Sequence, residues 1–100
     1  MRYELIFPPD TQAEIRNWIE GRFESTDQRH LAWDKIEQEL MKLASNPSLG
    51  VGALGGPFEK RPIYRFGITV KNVTHYIQVV YSVHESDRRV ILLGFAGVRM

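Results

Sequence analysis

The residues best suited to chemistry in this chain are basic side chains gathered in its second half. They are Lys60, Arg61, Arg65, Lys71, Arg88, Arg89 and Arg99. Guanidinium groups bind phosphate in a bidentate manner and stabilise charge that develops on a phosphoryl oxygen. Because arginine keeps its proton at any working pH, it cannot serve as a base. A site that cleaves a phosphodiester would need another group for proton transfer, and His84 and Tyr76 are the candidates predicted to point outward.

The sequence motifs indicate no other kind of catalytic site and no cofactor site. The chain has no cysteine, and its three histidines lack metal-ligand spacing. His84 and Glu85 begin an HExxH pattern, but Arg88 occupies the position of the second histidine. Residues 50–55 match GxGxxG, yet a helix is predicted before them and a strand after them, the reverse of a dinucleotide site. We therefore expect neither a metal nor a cofactor.

Charge is distributed unevenly along the chain. Residues 1–56 carry a net charge of −3 and residues 57–100 a net charge of +4, within a total of +1. A basic second half suits an anionic partner, either nucleic acid or an acidic peptide, although chance scatter over a small surface gives the same balance. The 100 residues are expected to form one domain, residues 1–100. Neither a signal peptide nor a stretch able to cross a membrane is predicted, so a cytoplasmic protein is expected.

The hydrophobic periods predict an α+β fold in the order β-α-α-β-β-β. Residues 2–7 form a short strand, and the capping-box spacing of residues 11–14 predicts the start of the first helix. Residues 25–27 cap a second helix, which ends at Asn46 and Pro47. Three strands follow, at residues 62–70, 75–83 and 89–95. We expect a helical hairpin packed on one face of a four-stranded, largely antiparallel sheet.

Strand alternation then assigns side chains to the two faces of that sheet. The predicted core side holds Tyr64, Phe66, Ile68, Val70, Ile77, Val79, Tyr81, Val83, Ile91, Leu93 and Phe95. The outward face combines the polar side chains of Arg65, Gln78 and His84 with the apolar ones of Val80 and Leu92. An apolar stripe beside cations is unusual for a face in contact with water alone. It fits a partner, or else cover by a terminus or loop of the same chain.

The ordered pattern resembles the RelE/ParE superfamily of toxins from bacterial type II toxin–antitoxin modules. The local features are Asn46-Pro47, residues 54–56, residues 64–66, residues 79–83 and residues 90–93. No single one of these is specific, and the resemblance rests on their order along the whole chain. It implies a helical hairpin on a small sheet and a toxin that an antitoxin neutralises.

RelE-like members cut messenger RNA on the ribosome with basic residues of the open sheet face and often a late tyrosine. On that resemblance Arg65 takes the basic position of the second strand, and Arg99 the one after the last strand. Gln78 stands where an arginine is expected, and the late tyrosine is missing. The predicted catalytic set adds the outward-facing His84 to Arg65 and Arg99. Nucleic-acid contacts are predicted from other basic residues of the second half, Lys60, Arg61, Lys71 and Arg88.

ParE-like members share the fold, lack the nuclease set and act on DNA gyrase. The two departures are compatible with that branch, and also with an inactive binding protein of the same fold, so it stays open whether the chain is an enzyme. In either branch the cognate antitoxin wraps the toxin, and we expect it to contact Val80, Leu92 and Gln78. Ribosome and messenger RNA are the other expected partners, with gyrase as the alternative.

Overall fold

The computed structural model describes residues 2–52 and 61–98. Its helices and strands are β1 (Glu4–Ile6), α1 (Pro9–Arg22), α2 (Thr26–Ser45), β2 (Val51–Gly52), β3 (Pro62–Val70), β4 (Val73–His84) and β5 (Arg89–Val98). Apart from the two-residue β2, this is the predicted order, and the α+β fold class is confirmed. Residues 53–60, most of the glycine-rich connector, lie outside the described residues.

The strands form one sheet in the order β1-β5-β4-β3-β2. β1 runs parallel to β5, and the other neighbours are antiparallel, so the predicted strand directions hold. Lys71 and Asn72 link β3 to β4 with φ angles of 49° and 65°. Two successive left-handed residues are typical of the type I′ turn, whose twist matches that of the flanking strands. The β3–β4 hairpin is therefore tightly closed at this end.

The start of α1 differs from the prediction. α1 begins at Pro9, and the preceding Pro8 makes no side-chain cap. Proline suits the first helical position because no N–H donor is needed there. Thr11 is only 1% exposed, and its hydroxyl donates to the carbonyl oxygen of Leu92 at 3.0 Å. The predicted capping box is wrong, and Thr11 instead fastens α1 to β5.

Both ends of α2 follow the sequence signals. Ser25 is the N-cap, and its hydroxyl accepts a hydrogen bond from the backbone N–H of Gln28 at 3.1 Å. Asn46 ends the helix, and Pro47 opens the short 3-10 turn that leads toward β2. The side chain of Lys35 crosses to β3 and donates to the carbonyl oxygen of Thr69 at 2.5 Å. The contact with β3 helps to hold α2 against the sheet.

The core lies between the helical hairpin and one face of the sheet. Its helical side is formed by Ile15, Ile19, Phe23, Ala32, Ile36, Leu40 and Leu43. Its sheet side is formed by Phe66, Ile68, Val70, Ile77, Val79, Tyr81, Val90, Leu92 and Phe95. The predicted faces of β3 and β4 are confirmed by this set. Those of β5 are confirmed only in part.

A β-bulge in β5 interrupts the alternation of its side chains. Val80 pairs with Gly94, whereas the next residue, Tyr81, pairs with Leu92. Leu93 is therefore an extra residue without a partner on β4. A bulge of this kind places two residues of one strand opposite one of the other and shifts the side-chain parity beyond it.

The bulge reverses the predicted sheet face of four β5 residues. Val90 and Leu92 are both 0% exposed in the core, whereas Leu93 is 40% exposed. Ile91 pairs with Ser82 on the outer side of the sheet. The prediction that Ile91 and Leu93 face the core, with Val90 and Leu92 outward, is wrong, because alternation was extended through the bulge.

A tyrosine on β4 is hydrogen-bonded to the segment that follows α2. The hydroxyl of the buried Tyr81 donates to the carbonyl oxygen of Pro47 at 2.5 Å and accepts from the N–H of Gly50 at 2.9 Å. A Cβ atom at Gly50 would overlap the tyrosine ring. Glycine is required here by this close approach of the backbone to the ring.

Candidate functional site

The sheet face away from the helices carries the candidate site, and we call it the open face. From β3 it includes Arg65, Gly67 and Thr69, from β4 Tyr76, Gln78, Val80, Ser82 and His84, and from β5 Ile91, Ala96 and Val98. Cross-strand pairing places these residues on the same side as Gln78. The prediction that Arg65, Gln78, Val80 and His84 share one face is consistent with this register.

Arg65 and Gln78 form the polar centre of the open face. They lie directly opposite each other on β3 and β4, and the Arg65 Nε–H donates to the Gln78 Oε1 at 3.2 Å. Within residues 2–52 and 61–98 the sole ion pair joins Lys42 to Glu39, so no described carboxylate neutralises Arg65. Gln78 thus orients the Arg65 guanidinium. The terminal N–H groups of Arg65 stay available to an anion.

A shallow cavity lies beside this pair. Its volume is about 210 Å³, and Arg65, Gly67, Tyr76 and Val98 contribute to its lining. Tyr76 is 42% exposed, and a Cβ atom at Gly67 would lie 3.4 Å from its ring. The Tyr76 ring thus packs close to the Gly67 backbone and remains accessible in the cavity that Arg65 also lines. That combination suits a nucleotide, with stacking for the base and charge for the phosphate.

His84 lies on the same face but far from Arg65. It is six residues beyond Gln78 along β4, which at ~3.3 Å per residue is on the order of 20 Å. Its Nε2 is 3.1 Å from the Ser82 hydroxyl oxygen. The structure therefore does not bring His84 to the phosphate position beside Arg65, whereas Tyr76 lines the same cavity.

The other predicted nucleic-acid contacts are spread over the edges of the sheet. Arg61 is exposed just before β3, Lys71 lies in the β3–β4 turn, and Arg88 lies in the β4–β5 turn. Since the 12-residue β4 separates the two turns, they lie roughly 40 Å apart at the rise of a strand. Lys60 and Arg99 lie outside the described residues.

Two of the three predicted antitoxin contacts lie on the open face, and the β5 bulge places the third in the core. Val80 and Gln78 are half-buried on the open face, as expected. Leu92 is completely buried beneath α1, so its assignment as a partner contact is wrong. In its place Ile91 and the exposed Leu93 supply apolar surface near Val80. An unbroken apolar run gives no sign of a bulge, so the sequence alone could not reveal this exchange.

The shifted pKa values belong to residues outside the open face. Burial raises the pKa of Tyr64 to about 12, helped by its hydrogen bond to the Glu39 carboxylate at 2.9 Å. Burial also raises the pKa of Tyr81. The pKa of His75 is lowered, first by burial and then by the positive charge of Arg22. These three shifts arise from packing between the helices and the sheet, and they do not involve the candidate site.

His75 is expected to make stability fall in mild acid. Because its folded pKa lies below its usual value of 6.5, the unfolded chain binds more protons as the pH drops through that value. The difference in unfolding free energy between the native protein and His75→Gln should therefore shrink from pH 7.5 to pH 5. Urea unfolding at several pH values measures it, and a difference independent of pH would contradict the shift.

The described residues were also compared with the requirements of a metal site and of a membrane span, and they meet neither. Among the residues that the structure describes, no group of three His, Cys, Asp or Glu side chains is arranged to hold a metal ion. Within the same residues, neither helix combines the length and apolar character needed to span a bilayer.

Comparison with known proteins gives a structural match. No protein-family model matches this chain, and no curated protein matches it either. A solved structure of the E. coli toxin RelE in the free state, with two arginines replaced by alanine, is similar over 96% of this chain and 83% of that chain. Its TM-score is 0.55 and its sequence identity 16%. The chain therefore has the RelE-like α+β fold that the order of its sequence features predicted.

Proposed function

We propose that this protein is the toxin of a type II toxin–antitoxin pair and that it cleaves messenger RNA on the ribosome. The observation that carries the proposal is Arg65, an exposed guanidinium beside an aromatic-lined cavity on the open face. The fold similarity to a toxin adds support. Gln78 fixes the guanidinium, and Tyr76 supplies the surface on which a base can stack.

In this proposal Arg65 binds the scissile phosphate. Its N–H groups stabilise the charge that builds on the phosphoryl oxygens while the RNA 2′-hydroxyl loses its proton and bonds to phosphorus. The bond from phosphorus to the 5′-oxygen breaks, which leaves a 2′,3′-cyclic phosphate and a 5′-hydroxyl that has taken up a proton. Arg99 is proposed as a second phosphate ligand on the resemblance alone. Tyr76 is the titratable side chain in the Arg65 cavity, which makes it the first candidate for proton transfer, ahead of the distant His84.

Other basic residues would hold the nucleic acid at the edges of the sheet, away from the cavity. We assign backbone phosphates to Lys60, Arg61, Lys71 and Arg88. For the cognate antitoxin we propose an acidic, amphipathic segment on the apolar part of the open face. Val80 and Gln78 would contact it, with Ile91 and Leu93 taking the place first given to Leu92.

The decisive experiment maps messenger RNA ends by primer extension in a purified translation system. We expect cuts at codons in the ribosomal A site with the native protein, and at least about 100-fold slower cutting with Arg65→Ala, the loss typical of a removed oxyanion donor. Arg16→Ala is the matched control, because it removes an exposed guanidinium from the helical side. Intact messages with the native protein, or equal cutting by both variants, would contradict the nuclease assignment.

A second candidate is a ParE-like inhibitor of DNA gyrase that cuts nothing. The specific observation in its favour is Gln78, which places a neutral amide beside Arg65 where a nuclease would gain from a second cation. Inhibition of supercoiling by the purified protein, together with intact messages in the translation assay, would replace the first candidate by this one.

A further inference from the structure

A second cavity lies on the opposite side of the sheet from the open face, at the β3–β4 turn. Its volume is about 190 Å³, and it is lined by Arg22 and Phe23 at the end of α1, Gln28 near the start of α2, and Lys71, Val73 and His75. His75 and Tyr76 are neighbours on β4 and point to opposite faces. The two cavities are therefore separated by the sheet itself.

The charges around this second cavity are all of one sign. Arg22 and Lys71 line it, and no aspartate or glutamate does so among the described residues. The single ion pair within that part of the chain is Lys42–Glu39, so neither cation is paired with a described carboxylate. The start of α2 lies nearby, but its Gln28 N–H is bonded to the Ser25 hydroxyl and Asp27 lies in its first turn, so that N–H is not a free donor and the Asp27 carboxylate offsets the helix dipole. The attraction for an anion therefore comes from the two side-chain cations.

Both cations extend from defined positions of the backbone, and the Arg22 side chain is also packed against an aromatic ring. The Arg22 guanidinium lies 5.1 Å from the centroid of the Trp18 ring, in a cation–π contact. Lys71 is fixed at the base of its side chain by the left-handed turn, with φ of 49°. His75 lines the same cavity, and its ring makes T-shaped contacts with Phe23 and Trp18, at 5.0 Å and 6.0 Å between ring centroids. The cavity therefore draws its polar side chains from α1, α2, the β3–β4 turn and β4.

We propose that this second cavity binds a phosphoryl group, with Arg22 and Lys71 as its charged donors and His75 as a further hydrogen-bond donor. The exposed Val73 beside them gives an apolar wall on which the sugar or base of a nucleotide can rest. The phosphoryl group comes from a free nucleotide or from a nucleic-acid strand. The inference uses no residue of the open face, and it shares only Lys71 with the backbone-phosphate contacts of the proposed function.

Amide NMR titrations with adenosine monophosphate and with a short oligouridylate test the proposal. We expect saturable shifts centred on residues 22–28 and 71–75, and at least tenfold weaker binding by the double variant Arg22→Gln, Lys71→Gln. The control is Arg16→Gln, Lys42→Gln, which removes the same charge from other exposed positions and should bind within twofold of the native protein. Well-dispersed spectra of both variants establish that they are folded.

The two ligands distinguish the source of the phosphoryl group. Binding of the oligouridylate at least tenfold tighter than that of the monophosphate, at the same residues, would assign the site to a strand, and similar affinities would assign it to a free nucleotide. Shifts confined to Arg65 and Tyr76, shifts that do not saturate, or equal weakening by the two double variants would overturn the proposal. The primer-extension assay of the native protein decides the nuclease assignment separately, so failure of that assignment would leave the titration result unchanged.

Discussion

Replacing Leu92 by alanine is expected to lower the free energy of unfolding by about 2–5 kcal/mol, the usual cost of a cavity in a packed core. Leu92 is completely buried, and its carbonyl oxygen accepts the hydrogen bond of Thr11. The same replacement at the adjacent Leu93, which is 40% exposed, should cost less than about 1 kcal/mol. The two leucines differ only in their place relative to the bulge.

Urea unfolding followed by circular dichroism measures both effects, with the native protein as reference. If simple alternation held through β5, Leu93 would be the buried residue and the order of the two losses would be reversed. Equal losses would mean that the strand has no fixed register at this point. The comparison thus tests the bulge without a further structure.

Replacing Tyr81 by phenylalanine is expected to cost about 1–3 kcal/mol, although it leaves the ring in the core. The hydroxyl accepts from the N–H of Gly50 and donates to the carbonyl oxygen of Pro47. Loss of the hydroxyl leaves both backbone groups without their partner, and an unmet donor or acceptor in a buried place carries a desolvation cost.

Tyr76→Phe is the matched control for this second prediction. Tyr76 is on the same strand, is 42% exposed, and loses a hydroxyl that water can reach, so a change below about 0.5 kcal/mol is expected. Thermal unfolding of the two variants side by side would show it. Equal melting temperatures would mean that the Tyr81 hydroxyl does not secure the exit from α2.

The parts of the fold that the sequence predicted are those with a clear period. β3 alternates from Tyr64 to Val70, and β4 alternates from Ile77 to Val83 except for the outward-facing Val80, so their faces follow from the pattern. β5 is apolar at nearly every position between Val90 and Phe95, and such a run contains no sign of which side each residue takes. The capping-box spacing at Thr11 was misleading because Pro9 can begin a helix without a capping side chain.

The candidate site was predictable to the same extent. Arg65, Gln78 and Tyr76 share a face because of strand parity, and their contact needed only the register of one hairpin. Predicting the distance between Arg65 and His84 requires the same β3–β4 register. The cluster of Arg22, Lys71 and His75 combines a helix end, a turn and a strand, and no sequence spacing brings three such elements together.

The parallel pairing of β1 with β5 has a consequence for the order of folding. β1 precedes the other elements in the chain, yet Glu4 finds its partner Arg89 only when β5 is available. Closing so long a loop costs chain entropy, and contacts between distant segments slow folding. The open face draws on β5 as well, so a nascent chain cannot complete that face until β5 has been synthesised.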